Sequence, residues 1–226
     1  MCPIYIELLF TLKVYQCYFS TRRLALYFDP VNSLVHCFWT NYGGCCMANE
    51  MQINILGRKG PHVSAICFGA WPIGGGYSRV PENEAIKTVH ASIDEGVNFI
   101  DTAEMYKSSE NILGRALEGK RGDVILASKV SGDHSVRHIR WAIENSLNQL
   151  NTDYIDLYQV HSPKPEWPIS DTMGELEKLK SEGKIRYIGV SNFNAEQTAE
   201  ACTYAVVQSS QPHYSLLFRE AEVDPL

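Results

Sequence analysis

The stretch that decides the fold runs from residue 154 to residue 190, YIDLYQVHSPKPEWPISDTMGELEKLKSEGKIRYIGV. It contains two short apolar runs, at residues 154–161 and 185–190, which we predict to be strands. The amphipathic segment between them, residues 171–180, has the pattern of a helix. A strand, a helix and a second strand in this order predict a parallel strand pair joined by a right-handed crossover.

The same alternation of strand and helix patterns extends in both directions from this stretch. Further apolar runs of strand length occupy residues 64–69, 97–101, 124–129 and 206–211. Helical patterns fill the gaps between them and begin near Pro81, Ser109, Ser135 and Asn194, while the glycine at position 119 is expected to end the second helix. Residues 53–60 predict a short antiparallel hairpin before the first of these strands.

Two architectures fit this alternation. The strands recur about every 30 residues, as in a β/α barrel, although the chain has room for about six of the eight units that close such a barrel. A doubly wound sheet is the competing architecture, but its first strand–helix turn normally carries the glycine pattern GxGxxG. Gly74-Gly75-Gly76 lacks that spacing and indicates only a loop.

The first 46 residues differ in composition from the rest. The chain carries 20 Lys and Arg against 26 Asp and Glu, a net charge of −6 that disfavours a dedicated nucleic-acid binder. The first 46 residues nevertheless have a net charge of +1 and hold five of the seven cysteines, namely Cys2, Cys17, Cys37, Cys45 and Cys46. We therefore predict two parts, an extension of no recognisable fold at residues 1–46 and an α/β domain at residues 47–226.

Three interpretations apply to this extension. A membrane or targeting segment is disfavoured because the apolar run at residues 4–12 contains Glu7, is too short to cross a bilayer, and follows no basic residue. A disulfide framework needs a secretory context that the sequence does not show. We favour a segment without selected structure, such as translated sequence upstream of a start at Met47 or Met51. We also expect the protein to be cytoplasmic. Deleting residues 1–46 is then expected to leave activity and solubility unchanged or improved.

Four polar residues occur where predicted strands end. Asp101, Lys129 and His161 end the second, third and fourth strands, and Tyr106 lies in the loop after Asp101. Each has an ordinary explanation when taken alone, such as a helix cap for Asp101 or a surface charge for Lys129. The carboxyl ends of the strands in a parallel barrel, however, converge on one face.

Together the four residues form a set with defined chemistry. An ammonium group favours the phenolate form of a neighbouring tyrosine, and a carboxylate holds the ammonium charged and in place. A histidine beside the phenol can orient a carbonyl oxygen by hydrogen bonding, so that the set protonates this oxygen while another group attacks the carbon. No side chain supplies hydride, and a nicotinamide cofactor would have to do so.

Several segments of the chain resemble the aldo-keto reductase family. In family order over residues 51–226 they are LGR at 56–58, FGAW at 68–71, GVNFIDTAEMY at 96–106, ASK at 127–129, DLYQVH at 156–161, GKIRYIGVSNF at 183–193 and QPHYSLL at 211–217. The resemblance implies a (β/α)8 TIM barrel that reduces aldehydes and ketones to alcohols with NADPH, ordinarily without a metal. It also implies that Tyr106 is the general acid, that Lys129 and Asp101 tune it, and that His161 positions the carbonyl group of a small-molecule substrate.

The resemblance further implies how the cofactor and substrate are held. Ser191, Asn192 and Gln211 would form hydrogen bonds with the carboxamide of the nicotinamide of NADPH or NADP+, and Trp71 would line the substrate pocket. Ser191 and Asn192 could also cap a helix, because one is predicted at residues 194–204, and the two roles are compatible.

Two features of the chain depart from the family pattern. Lys107-Ser108-Ser109 stands where the family often has a glycine-containing loop. The chain also ends at Leu226, after the sixth predicted strand, and from this we expect poor solubility and weak or no NADPH binding for the chain alone.

The alternatives to an enzyme are an inactive or regulatory binding module, as in the potassium-channel β-subunit branch, and a membrane-associated protein. The presence of all four candidate residues favours the enzyme over these alternatives. We expect no nucleic-acid or membrane partner, and the sequence leaves a protein partner open.

Overall fold

The computed structural model describes residues 51–223 together with the backbone of residues 18–19, 22–23, 25–28 and 35–38. The chain divides into two compact units, one formed by Leu9–Glu50 and the other containing Met51–Leu226. In the first unit, β1 (Tyr18–Phe19) pairs antiparallel with β2 (Arg22–Arg23), and β3 (Ala25–Phe28) pairs antiparallel with β4 (Val35–Phe38). The apolar run at residues 4–12 lies outside the described residues.

The second unit begins with the predicted hairpin. β5 (Ile53–Ile55) and β6 (His62–Ser64) are antiparallel, with Ile53 opposite Ser64, so this prediction is confirmed. The prediction of a single strand at residues 64–69 was wrong at its start, because Ser64 ends the hairpin. The Ser64 hydroxyl donates to the carbonyl of Ile66 at 2.6 Å, which turns the chain before the next strand.

A parallel sheet of six strands forms the centre of this unit. The strands are β7 (Cys67–Gly69), β8 (Phe99–Asp101), β9 (Ile125–Val130), β10 (Ile155–Val160), β11 (Ile185–Ser191) and β12 (Val207–Gln211). Each strand pairs with its neighbours in sequence, and every pairing is parallel. Sequential order without reversal is that of a β/α barrel and differs from that of a doubly wound sheet. The predicted six strands and the α/β TIM-barrel fold are therefore confirmed, and the described residues form an incomplete barrel of six strands.

Five α-helices follow the first five strands of this sheet. They are α1 (Glu82–Asp94), α2 (Ser109–Ala116), α3 (Val136–Leu150), α4 (Ile169–Ser181) and α5 (Ala195–Tyr204), and short 3-10 turns lie at Arg121–Asp123 and Glu220–Glu222. The predicted starts are accurate where a side chain caps the helix. Ser135 accepts from the amide of His138, and Asn194 forms a capping box with Gln197. The expected end of α2 at Gly119 was wrong, because the helix stops at Ala116 and Gly119 lies in the following turn at φ 72°.

Apolar side chains cover both faces of the sheet. Successive residues of a strand point to opposite faces, and in β10 Tyr158 packs in the layer between sheet and helices while Leu157 packs on the other face. The cluster of apolar residues that contains Leu157 consists of Leu56, Val63, Phe99, Ala127 and Leu157. Because Leu56 and Val63 belong to the hairpin, the hairpin packs against this face of the sheet. The Gln208 side chain fixes the hairpin to β12 by donating to the carbonyl of Leu56 at 3.0 Å.

Candidate active site

The carboxyl ends of the parallel strands bring the predicted site residues to one edge of the sheet. Asp101, Ser191 and Gln211 are the last residues of their strands. Lys129 is one residue before the end of β9, and His161 directly follows β10. Residues that are up to 110 positions apart in sequence therefore lie along a single edge, as the sequence predicted.

A buried ion pair lies at the base of this edge. The Lys129 ammonium donates to Asp101 Oδ2 and, at 3.1 Å, to the carbonyl of Thr102. The side chains of Lys129 and Asp101 are only 1% and 2% exposed. Gln159 donates from Nε2 to Asp101 Oδ1 at 3.1 Å and accepts from the hydroxyl of Ser209 at 3.3 Å. Asp101 is therefore not a helix cap, and Lys129 is not a surface charge.

The phenol ring of Tyr106 lies among three other predicted site residues. Lys129 Nζ is 5.1 Å from the ring centroid. The imidazole of His161 meets the ring edge-on, with centroids 5.5 Å apart and planes at 77°. The indole of Trp71 meets it in the same manner at 5.0 Å and 71°. The structure thus brings together the phenol, the ammonium, the carboxylate and the imidazole that the sequence predicted, with Trp71 beside them.

His161 is held in a neutral form. Burial and the positive charge of Lys129 lower the pKa of its imidazole from 6.5 to about 4, because both disfavour the charged ring. Its Nδ1 lies 2.8 Å from the hydroxyl of Ser131. The amide of Ser131 donates to Glu104 Oε1, and Nε2 of His138 lies 3.2 Å from the same oxygen.

The glycine loop after β7 packs tightly against the site. A Cβ atom on Gly74 would lie 2.2 Å from the carbonyl oxygen of Tyr106, and one on Gly76 would lie 2.2 Å from the Trp71 ring. Only glycine, which has no Cβ atom, fits at these two positions. Lys107, at the position where the family often has a glycine-containing loop, has a left-handed φ of 52°, and its ammonium donates to the carbonyl of Gly75 at 2.8 Å. This loop therefore depends on both the glycines and Lys107.

The three candidate cofactor residues are also adjacent. The Ser191 hydroxyl and the backbone amide of Asn192 both donate to the backbone carbonyl of Gln211, each at 3.0 Å. The Asn192 side chain donates from Nδ2 to the carbonyl of His161 at 2.8 Å. A helix-cap role for Ser191 and Asn192 is wrong, because Asn194 caps α5.

Three residues of the site were missed by reasoning from the sequence. Ser131, Gln159 and Ser209 are each two positions from a predicted site residue, namely Lys129, His161 and Gln211. The two-residue period of a strand places such neighbours on the same face. Applying this period to the strand ends would have identified them.

Two other features, a metal site and a membrane-spanning helix, are absent from the described residues. Within residues 51–223, no group of three or more His, Cys, Asp or Glu side chains is arranged to hold a metal ion. The helices of this part of the chain are all too short or too polar to cross a membrane.

The sequence matches the model of one known protein family over most of its length. The model described as "Aldo/keto reductase family" matches residues 65–226. The chain belongs to the aldo/keto reductase family. Among curated family members, the "Aldo-keto reductase YhdN" of Bacillus subtilis (strain 168) is 42% identical over 186 residues, which cover 76% of this chain and 56% of the relative. The chain therefore spans little more than half the length of this relative.

Solved structures of family members share the fold of this chain. The thermostable aldo-keto reductase Tm1743, in complex with the inhibitor epalrestat, superposes with a TM-score of 0.72 at 35% identity, covering 77% of this chain and 66% of that one. An aldo/keto reductase from Klebsiella pneumoniae in complex with NADP and acetate has a TM-score of 0.67 at 36% identity, covering 73% and 59%.

Proposed function

We propose that the protein is an NADPH-dependent reductase that converts aldehydes or ketones to alcohols. The observation that carries the proposal is that the Tyr106 ring lies beside both the buried Lys129–Asp101 pair and the neutral imidazole of His161. Membership of the aldo/keto reductase family supports the reaction class. The NADP bound to the Klebsiella pneumoniae relative supports the choice of cofactor.

The proton is the part of the reaction that this chain's own residues supply. Tyr106 donates its phenolic proton to the carbonyl oxygen of the substrate, and the nearby Lys129 ammonium stabilises the phenolate that remains. Asp101 accepts a hydrogen bond from that ammonium and holds it in place at a buried position. The neutral imidazole of His161 orients the carbonyl oxygen by donating a hydrogen bond. A nicotinamide held by Ser191, Asn192 and Gln211 would supply the hydride.

The chemistry of the strand ends fits a nicotinamide ring. A carboxamide both donates and accepts hydrogen bonds, and the Ser191 hydroxyl and the side-chain amides of Asn192 and Gln211 do the same. Asn192 also donates to the backbone of His161. The residues proposed to hold the ring are thereby linked directly to the residue proposed to orient the substrate.

The substitution Tyr106→Phe tests the proposed acid. It removes the proton donor and keeps the ring, so we expect at least a ~100-fold loss of kcat for a simple substrate such as benzaldehyde. The rate is followed as the loss of NADPH absorbance, and cofactor binding, measured by fluorescence, should persist. Tyr204→Phe is the matched control, because Tyr204 is 48% exposed at the end of α5.

Two outcomes would contradict the proposal. Undiminished turnover in Tyr106→Phe would remove Tyr106 from the chemistry. Cofactor binding without turnover of any aldehyde or ketone by the unmodified chain would instead favour the non-catalytic binding module.

A further inference from the structure

The neutral state of His161 makes the position of its one ring proton important. A neutral imidazole has one nitrogen that donates and one that accepts, and the hydrogen bond made by one nitrogen decides the role of the other. The carbonyl oxygen of a substrate carries no hydrogen, so the ring nitrogen that orients it must be the donor. The partner at the second nitrogen therefore determines whether His161 can perform the role proposed above.

Ser131 is that partner. Its hydroxyl lies 2.8 Å from His161 Nδ1, and it is two residues beyond Lys129, on the same face of the chain leaving β9. Its backbone amide donates to the carboxylate of Glu104, and His138 on α3 contacts the same carboxylate oxygen. The backbone of Ser131 is thereby tied to Glu104, whose carboxylate His138 also contacts.

We propose that the Ser131 hydroxyl donates its hydrogen bond to Nδ1 of His161 and so keeps the ring proton on Nε2, which makes Ser131 a positioning residue for carbonyl reduction. The inference deepens the proposed function and rests on it. If Nε2 donates to the substrate, Nδ1 must accept a hydrogen bond. A serine hydroxyl can donate as well as accept, so Ser131 can supply that hydrogen bond. With Nδ1 occupied in this way, Nε2 is the nitrogen left to donate to the substrate.

The tautomer of His161 can be observed directly in the full chain. Long-range proton–nitrogen correlation spectra of the 15N-labelled protein at pH 7 distinguish a protonated ring nitrogen from an unprotonated one. We expect Nδ1 to be unprotonated and Nε2 protonated in the unmodified chain. In Ser131→Ala the two tautomers should become mixed, and in Ser131→Thr, which keeps a hydroxyl, the original pattern should return. Ser181→Ala, at an exposed position on α4, is the control and should change nothing.

Turnover gives a second readout. Loss of the hydrogen bond in Ser131→Ala should lower kcat/KM for benzaldehyde about tenfold, and Ser131→Thr should restore most of it. A proton on Nδ1 in the unmodified chain, or an unchanged tautomer in Ser131→Ala, would overturn the inference.

The failure of this inference is distinguishable from failure of the proposed function. The spectra report the tautomer whether or not the chain turns over substrate, so an inactive chain leaves the Ser131 result decisive. Conversely, an unchanged tautomer in Ser131→Ala together with an inactive Tyr106→Phe would remove Ser131 and leave the reductase in place.

Discussion

The imidazole of His161 differs most clearly from an exposed histidine in its proton affinity. Burial is the larger cause of its lowered pKa, and the Lys129 ammonium adds to it. Between pH 6.5 and about 4, the unfolded chain binds a proton at this position that the native ring does not bind. The free energy of unfolding must therefore fall as the pH is lowered through this window.

We expect the ring resonances of His161 to remain those of neutral imidazole from pH 7 down to about pH 5, with a midpoint near pH 4. The measurement is an NMR titration of the full chain, with His161→Gln used to assign the resonances. A midpoint close to 6.5, the value of an exposed histidine, would show that burial and Lys129 do not act on the ring as the structure indicates.

At the scale of residues, the sequence predicted the groups that we propose to react more completely than the groups that hold them. Asp101, Tyr106, Lys129 and His161 were identified because their chemistry is recognisable and strand ends converge. Ser131, Gln159 and Ser209 were missed, since serine and glutamine have many roles. The two-residue period of a strand marks them as candidates, but only their contacts with site residues show what they do.

At the scale of elements, a buried aspartate joins three strands at the opposite end of the sheet. Asp156 in β10 accepts from the backbone amide of Leu126 in β9 at 3.0 Å and from Arg186 in β11 at 2.9 Å. Arg121 donates to it at 2.8 Å. The guanidinium groups of Arg121 and Arg186 also contact the ring of Tyr154, at 4.3 Å and 3.7 Å from its centroid. This cluster fixes the register of the strands that carry Lys129 and His161.

Asp156→Asn should lower the free energy of unfolding by about 2 kcal/mol, because it removes a buried charge that accepts hydrogen bonds from Arg121 and Arg186, whose side chains are 16% and 53% exposed. Urea unfolding of the full chain followed by circular dichroism is the measurement. Asp94→Asn, at an exposed position in α1, is the matched control and should change the value by less than about 0.5 kcal/mol. Equal stability of Asp156→Asn and the unmodified chain would mean that the cluster does not hold these strands.

Element boundaries show which local sequence features were sufficient. The starts of α3 and α5 were predictable because Ser135 and Asn194 bond to backbone amides of the first helical turn. The end of α2 and the start of β7 were not predictable, since each depends on a turn that the apolar pattern does not specify. Gly119 was interpreted as a cap although it lies beyond the last helical turn.

At the scale of the whole molecule, the site exists only because five strands end at one edge. Strand order was predictable from the alternation of patterns, whereas the distances between Tyr106, Lys129 and His161 depend on the curvature of the sheet and on packing of the glycine loop. The residues proposed to hold the nicotinamide come from β11 and β12, and those proposed for the chemistry come from β8 to β10 and the loops after them. A cofactor bound at this edge would contact elements from most of the sheet.

This arrangement predicts that cofactor binding stabilises the whole unit. A ligand that binds only the folded chain adds about 2.7 kcal/mol at a concentration 100 times its Kd, which corresponds to a rise in Tm of several degrees. Because we expect this chain alone to bind NADPH weakly, the test uses saturating nucleotide, and NADPH should then raise the Tm measured by differential scanning fluorimetry more than equimolar NADH does. Gln211→Ala should reduce the rise, whereas Gln149→Ala, at an exposed position of α3, should not. If neither nucleotide changes the Tm, the strand ends do not bind a nicotinamide cofactor and the proposed reductase lacks its hydride source.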